Sequence, residues 1–353
     1  MKFSAIEFYF YAIQVWNLQM KGTGKNIKIL FKYFVAPALA AWLFYSLYKQ
    51  IRNQPHLYES LELIKNAPFG KEGFKFWMVV VLLFFNWGFE ALKWQYLTIP
   101  LERISFLKAF KSVLSGITLS INTPNRIGEY GGRIIYLKEG NRLKGISLSI
   151  AGSISQLIIT LLMGCIALFI LLVFYLGKDQ EMMGLSRFWI ETFLWISLIV
   201  TFLILLFFFK MAWLVRLIEK LPPARKLIPY IKVLGQFENK ILLRLLFISF
   251  IRFTIFVFQY LLLLKSLNVD IEWFTGLLLL SVLFLVMAIV PSFAIADLGI
   301  RGQVSIALLG MYNSNTIGIL ATIFGIWILN LFIPAVAGSL MILSVRLNKE
   351  PKH

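Results

Sequence analysis

Ile121-Asn-Thr-Pro-Asn-Arg-Ile-Gly-Glu-Tyr-Gly-Gly-Arg133 follows an apolar run and ends in the pattern acid-x-Gly-x-Arg, from Glu129 to Arg133. The same pattern returns as Asp297-Leu-Gly-Ile-Arg301. Both copies come after a hydrophobic stretch and a proline, Pro124 and Pro291. With only 17 acids and 23 glycines in 353 residues, chance supplies far less than one such match, so the chain reads as an internal repeat. An acid and an arginine at matched places in apolar sequence point to a polar site at depth in a membrane.

The composition agrees. The chain is 59% hydrophobic and 15% charged, with a mean hydropathy of +0.79. A hydrocarbon layer ~30 Å thick takes about 20 helical residues, and several segments have that length with few charges. The expected fold is an all-α polytopic membrane protein, with full spans at 31–50, 76–98, 146–176, 188–210, 241–264 and 318–347. Two shorter apolar runs, 110–122 and 274–293, read as the first arms of re-entrant helical hairpins that return over 124–140 and 297–311. The alternative is eight full spans. With re-entrant hairpins, the segments on the side of both termini carry more than twice the Lys and Arg of the opposite side, which predicts cytoplasmic termini.

That threading places the first hairpin after an inward span and the second after an outward one. Gln95-Tyr96-Leu97 and Gln259-Tyr260-Leu261 mark comparable places in those spans. Two inverted repeats follow, about 76–176 and 241–347, within one membrane domain over 31–347. Residues 1–30 form a cytoplasmic or interfacial segment, and 348–353 a tail. Within the first segment, 1–19 reads either as an interfacial helix or as an extension ahead of Met20.

The net charge of +18 is spread over the connections between apolar segments. It suits anionic lipid rather than nucleic acid. Two histidines (His56 and His353) and a single cysteine (Cys165) leave no metal set and no disulfide framework. Gly22-Thr-Gly-Lys25 lacks the flanking residues of a phosphate-binding loop. No cofactor and no catalytic set are expected.

Thr123 followed by Pro124 reads as a helix start, whose free N–H groups attract anions if the hairpin tip is buried. Arg126, Glu129 and Arg133 are spaced to share one face of that helix. Gly128, Gly131 and Gly132 would allow close approach of a helix or an acyl chain. The competing reading is an i,i+4 pair of Glu129 and Arg133 that only neutralises itself. In the second copy, Asp297 either caps a helix or works with Gly299 and Arg301. Arg252, with Gln259 two turns on, is either a phosphate contact or part of a buried pair. Glu90 and Lys93 stand three residues apart in a span, and Lys93, beside Trp94 and Tyr96, reads as a headgroup-level anchor. Glu191 and Arg244 lie near helix ends and read as snorkelling.

The run Thr123-Pro124-x-Arg126-x-Gly128-Glu129-x-x-x-Arg133 resembles the signature of the lysylphosphatidylglycerol synthase transmembrane-region family, the flippase-like domains. Pro291 through Leu-Gly-Ile-Arg301 is similar to its second signature, and the likeness covers about 25–347. The second copy departs from the common form, with Ala296-Asp297 and Gly302 where many members carry a Gly-Gly pair and a Glu after the arginine. The resemblance implies a stand-alone domain, without the soluble aminoacyl-transfer domain, that moves anionic or aminoacylated lipids between leaflets of a bacterial cytoplasmic membrane. Arg126, Arg133 and Arg301 would then contact phosphate, and Glu129 and Asp297 would orient them. Two rivals remain: a membrane enzyme with Glu129 as base, acting on lipid- or polyprenyl-phosphate-linked precursors, and a scaffold for an envelope-biosynthesis enzyme.

Overall fold

The computed structural model describes residues 57–121, 123, 126–177, 181–220, 227–289 and 294–347, with backbone alone for 57, 294–297 and 344–347. The contacts divide the chain into 1–53, which lies outside the described residues, and 54–353. The expected span 31–50, both readings of 1–19 and the tail 348–353 therefore lie outside the described residues, as do Pro124 and Pro291. The rest is helical. Among the described residues there is no strand, only an isolated bridge between Met182 and Leu185.

In chain order the helices are α1 (Leu57–Asn66), α2 (Gly73–Thr98), α3 (Phe106–Ser120), α4 (Gly128–Ile134), α5 (Arg142–Ile170), α6 (Arg187–Phe209), α7 (Met211–Glu219), α8 (Asn239–Ser266), α9 (Trp273–Ile289), α10 (Ala294–Leu309), α11 (Thr316–Trp327) and α12 (Ile333–Leu347). A π-helical turn, Leu171–Tyr175, extends α5, and a second, Ile328–Phe332, joins α11 to α12. Five stretches are long and apolar enough to cross a membrane: Gly73–Thr98, Glu139–Tyr175, Arg187–Phe209, Asn239–Ser266 and Thr316–Leu343. They fall on the five expected spans that the structure describes.

α3 and α9 differ from these. With 15 and 17 described residues they are shorter than the five spans. Each is the first arm of a hairpin whose chain returns to the level it left. In the first, Asn141 donates to the Leu101 carbonyl at 3.4 Å and to Glu102 at 3.1 Å, and the Lys138 N–H donates to Glu102 at 3.2 Å. Burial works against the Glu102 charge, but those hydrogen bonds hold its carboxyl below the usual range, so the clasp is made by an ionised group. In the second, Asn315 donates to the Leu267 and Asn268 carbonyls at 3.3 and 3.2 Å, and Asn313 to the Asp270 carbonyl at 3.1 Å. Asn141 and Asn315 each stand at the start of the helix that follows their hairpin.

α2 and α8 run antiparallel in direct contact. The Gln259 amide donates to the Val79 carbonyl at 3.0 Å, Arg252 reaches Asn86, Lys93 meets Ser249, and Arg244 lies over the Tyr96 ring at 5.0 Å. Because the first hairpin follows the end of α2 and the second the end of α8, the two enter the bundle from opposite ends. α6 lies at the rim, with Trp189, Trp195 and Phe202 exposed as suits a lipid-facing helix. α11 is buried from Gly318 to Trp327, so it is apolar all round.

Within the first hairpin α4 begins at Gly128, and Pro124, where a helix start is expected, lies outside the described residues. Thr123 Oγ1 accepts from the Gly128 N–H at 2.8 Å and lies 3.1 Å from the Ser120 carbonyl. Arg126 is left-handed, with φ 58°. The glycines then let α4 lie on α3. A Cβ at Gly132 would collide with the backbone of Ser115 and Gly116, and one at Gly128 with the Leu119 carbonyl. That glycine face is covered by protein, not by an acyl chain.

Single cysteines in the two hairpin bases test the opposite entry. One in 99–105 and one in 267–272 should be labelled from opposite sides of the membrane. Labelling of both from one side would mean that the hairpins do not face opposite leaflets.

Candidate functional site

α2 carries Glu90 and Lys93 one turn apart on the side that faces α4, α5 and α8. Arg133 of α4 donates from Nη2 to Glu90 Oε1 at 2.6 Å and also pairs with Glu129. Arg252 of α8 pairs with the other Glu90 oxygen, which Lys93 Nζ approaches to 2.9 Å. Glu90, Lys93 and Arg133 are 3%, 1% and 2% exposed, so the carboxylate and two of its three cations are out of contact with solvent, while Arg252 is half-buried. At roughly 1.5 Å of rise per residue, Glu90 lies about 12 Å along α2 from Thr98 and Arg252 about 20 Å along α8 from Asn239.

Neutral groups complete the network. Arg252 donates from Nε to the Asn86 carbonyl and Oδ1 at 3.2 and 3.1 Å, and from Nη1 to Gln156 at 3.1 Å. Asn86 donates to Asn330, which sits in the π-helical turn before α12, at 3.2 Å. Lys93 donates to Ser249 at 3.4 Å, and Ser249 meets Ser155 of α5 at 3.0 Å. The Arg133 and Arg252 guanidinium carbons lie 5.8 and 5.7 Å from the ring centres of Trp94 and Trp87, over their faces. Small residues make this convergence possible. A Cβ at Gly116 would come within 2.9 Å of the Glu129 carbonyl and 3.0 Å of Arg133 Cγ.

Charge does not balance here. Among the described residues, Lys93, Arg133 and Arg252 face only Glu90 and Glu129, which leaves one net positive charge at depth. Arg126 adds another at the edge, 3.8 Å from Glu129 and 51% exposed. Buried charge in apolar surroundings is stable only when paired and hydrogen-bonded. Arg133 Nε and Nη1 are nonetheless buried with no hydrogen-bond partner among the described residues. Such a site is chemically prepared for a further anion.

The structure thus brings Arg126, Glu129, Arg133 and Arg252 together, though Arg126 precedes α4 instead of sharing its face. α4, at seven residues, is too short to act through its N-terminus, and the Thr123 hydroxyl already occupies its first N–H. Arg252 combines the two readings open to it: it is paired, and it lines the cationic cluster. Lys93 is not an interfacial anchor. The aromatic neighbours that suggested one serve otherwise, Trp94 by donating to Ser112 at 3.1 Å and Tyr96 by stacking under Arg244. Glu90, the centre of the cluster, was visible in the sequence only as an acid three residues from a lysine in a span. Gly131 is half-buried on α4.

The second motif stands apart. Arg301 on α10 is half-buried and donates from Nη1 to the hydroxyl of the buried Tyr260 at 3.5 Å. Tyr260 packs against Phe256 and Phe284, at 5.2 and 5.3 Å between ring centres. The Asp297 side chain lies outside the described residues. Gly299 is exposed and no described atom lies within 4 Å of a Cβ placed there, so it does not serve close packing.

The sequence profile of the lysylphosphatidylglycerol synthase TM region matches residues 29–338, a range that takes in both hairpins and the whole charge cluster. The chain belongs to that family. No curated protein matches it. As a member of the lysylphosphatidylglycerol synthase TM region family with five described stretches able to span a bilayer, it is a multi-pass integral membrane protein with a lipid-related role.

Removing one partner of a buried ion pair costs about 3–5 kcal/mol, because the other charge stays behind. Glu90→Ala should therefore lower the thermal midpoint of the detergent-purified protein sharply, whereas Asp270→Ala, at the exposed Lys265 pair, should leave it nearly unchanged. Equal midpoints for the two variants would mean that Glu90 does not hold the cluster together.

Proposed function

We propose that this protein carries lipids with phosphate-bearing headgroups between the leaflets of the bacterial cytoplasmic membrane, without altering them chemically. The observation that carries this reading is the uncompensated positive charge at the junction of α2, α4 and α8, with two donors of Arg133 unused. Arg133 and Arg252 would take the phosphate, Arg126 would meet it at the edge, and Glu129 would keep Arg133 aimed. Charge-assisted contacts to phosphate are roughly twice as strong as neutral hydrogen bonds. The acyl tails would stay in lipid along exposed apolar faces while the head passes through the polar interior.

The two hairpins entering from opposite ends support alternating access, since inverted halves around a site at depth can face each leaflet in turn. Arg301 and Asp297 would be the second half's counterparts of Arg133 and Glu129. The distribution of Lys and Arg supports cytoplasmic termini. The enzyme reading loses ground because Glu129 already faces Arg133 and Arg126, which suits a counter-ion better than a proton acceptor.

The test is leaflet exchange of fluorescent phosphatidylglycerol in proteoliposomes, followed by mass spectrometry of the recovered lipid. Each charge-assisted contact contributes about 1.5–3 kcal/mol, so Arg133→Met and Arg252→Met should each slow exchange about tenfold or more. The lipid should come back unaltered. Wild-type rates in both folded variants, or chemically changed lipid, would overturn the proposal.

A further inference from the structure

Three cations on one carboxylate is an unusual arrangement to bury, and the elements that supply them explain it. Arg133 comes from the first hairpin and Arg252 from α8, whereas Lys93 shares α2 with Glu90 itself. If the arginines moved away together, Glu90 would keep Lys93, 2.9 Å from Oε2 and tied to Ser249. Glu90 can therefore give up both guanidinium groups without becoming a lone buried charge. A phosphodiester has one negative charge and two equivalent free oxygens, as a carboxylate has, so it can accept the same pair.

We propose that Glu90 is a built-in substitute for the ligand's phosphate: it occupies Arg133 and Arg252 while the site is empty and yields them when a lipid phosphodiester arrives. This rests on the preceding reading that the ligand is a lipid phosphate. Both ends of the exchange are paired. Before it, Glu90 holds Arg133, Arg252 and Lys93; after it, phosphate holds the arginines and Lys93 holds Glu90. Arg133 Nε and Nη1, which lack partners, give the incoming phosphate donors before Glu90 lets go. The swap links headgroup binding to separation of α4 and α8 from α2. It also gives the phosphate a competitor that drives its release.

The roles of Glu90 and Lys93 then have opposite signs. The experiment titrates short-chain phosphatidylglycerol into the detergent-purified full-length protein and reads occupancy by native mass spectrometry, with diacylglycerol of the same chains as control. Glu90→Gln removes the competitor, so phosphatidylglycerol should bind about tenfold more tightly while leaflet exchange slows, because release loses its driver. Lys93→Met leaves the displaced Glu90 without a partner, so binding should weaken although Lys93 does not touch the phosphate. The double variant Glu90→Gln/Lys93→Met keeps the wild-type charge balance and should bind as tightly as Glu90→Gln alone, reversing the effect of Lys93→Met. Because it preserves the balance, it carries the test if Glu90→Gln alone fails to fold. Diacylglycerol binding should not change in any of them.

Unchanged or weakened phosphatidylglycerol binding in the double variant would overturn the substitution, while loss of lipid in Arg133→Met and Arg252→Met would leave the phosphate reading standing. Wild-type lipid occupancy in both arginine variants would overturn that reading instead.

Discussion

Glu90 takes ion pairs from Arg133, Arg252 and Lys93, and it is buried together with Arg133 and Lys93. Each would be costly to bury alone, so the carboxylate requires the first hairpin, α2 and α8 to meet at one point. The rest of the cluster serves that meeting. Asn86 and Gln156 take further donors of Arg252, Ser249 accepts from Lys93, and Trp87 and Trp94 lay aromatic faces against the guanidinium groups. One net positive charge still remains, and the function proposed follows from it.

Backbone proximity sets the geometry. Gly116, Gly128 and Gly132 let α4 lie against α3 closely enough for Arg133 to reach α2, and the Arg133 carbonyl accepts from the Ser112 hydroxyl. Gly338 does the same for α12, where any side chain would meet the Leu114 carbonyl, and Thr118 donates to the Ala335 carbonyl at 2.8 Å. The first hairpin is thus held by helix contacts to α12, by the Trp94–Ser112 hydrogen bond to α2 and by the charge cluster. An exchange of Glu90 for phosphate would release the charge contacts.

Hydrophobic length marked the described spans, and short apolar runs ending in polar, glycine-containing sequence marked both hairpins, because membrane depth imposes the same length on every crossing. The repeated acid and arginine led to Glu129, Arg133 and Arg301. Pairing across elements was much less legible. Lys93 stands among Trp94 and Tyr96, a mixture that also occurs at headgroup level, and only the antiparallel contact of α2 with α8 shows that it points to Ser249. Glu90 carried no motif at all; its role depends on arginines from α4 and α8 that the linear chain places far away. The expected helix start at Thr123-Pro124 falls partly outside the described residues; the Thr123 hydroxyl accepts from the first N–H of α4.

The central claim is that the excess charge at Arg133 and Arg252 holds a lipid phosphate. An experimental structure of the full chain determined with saturating phosphatidylglycerol tests it most directly. The account predicts phosphate density about 3 Å from the guanidinium nitrogens of both arginines, with Glu90 withdrawn onto Lys93. A lipid-saturated structure in which Glu90 still pairs with both arginines, and every phosphate lies elsewhere, would contradict it.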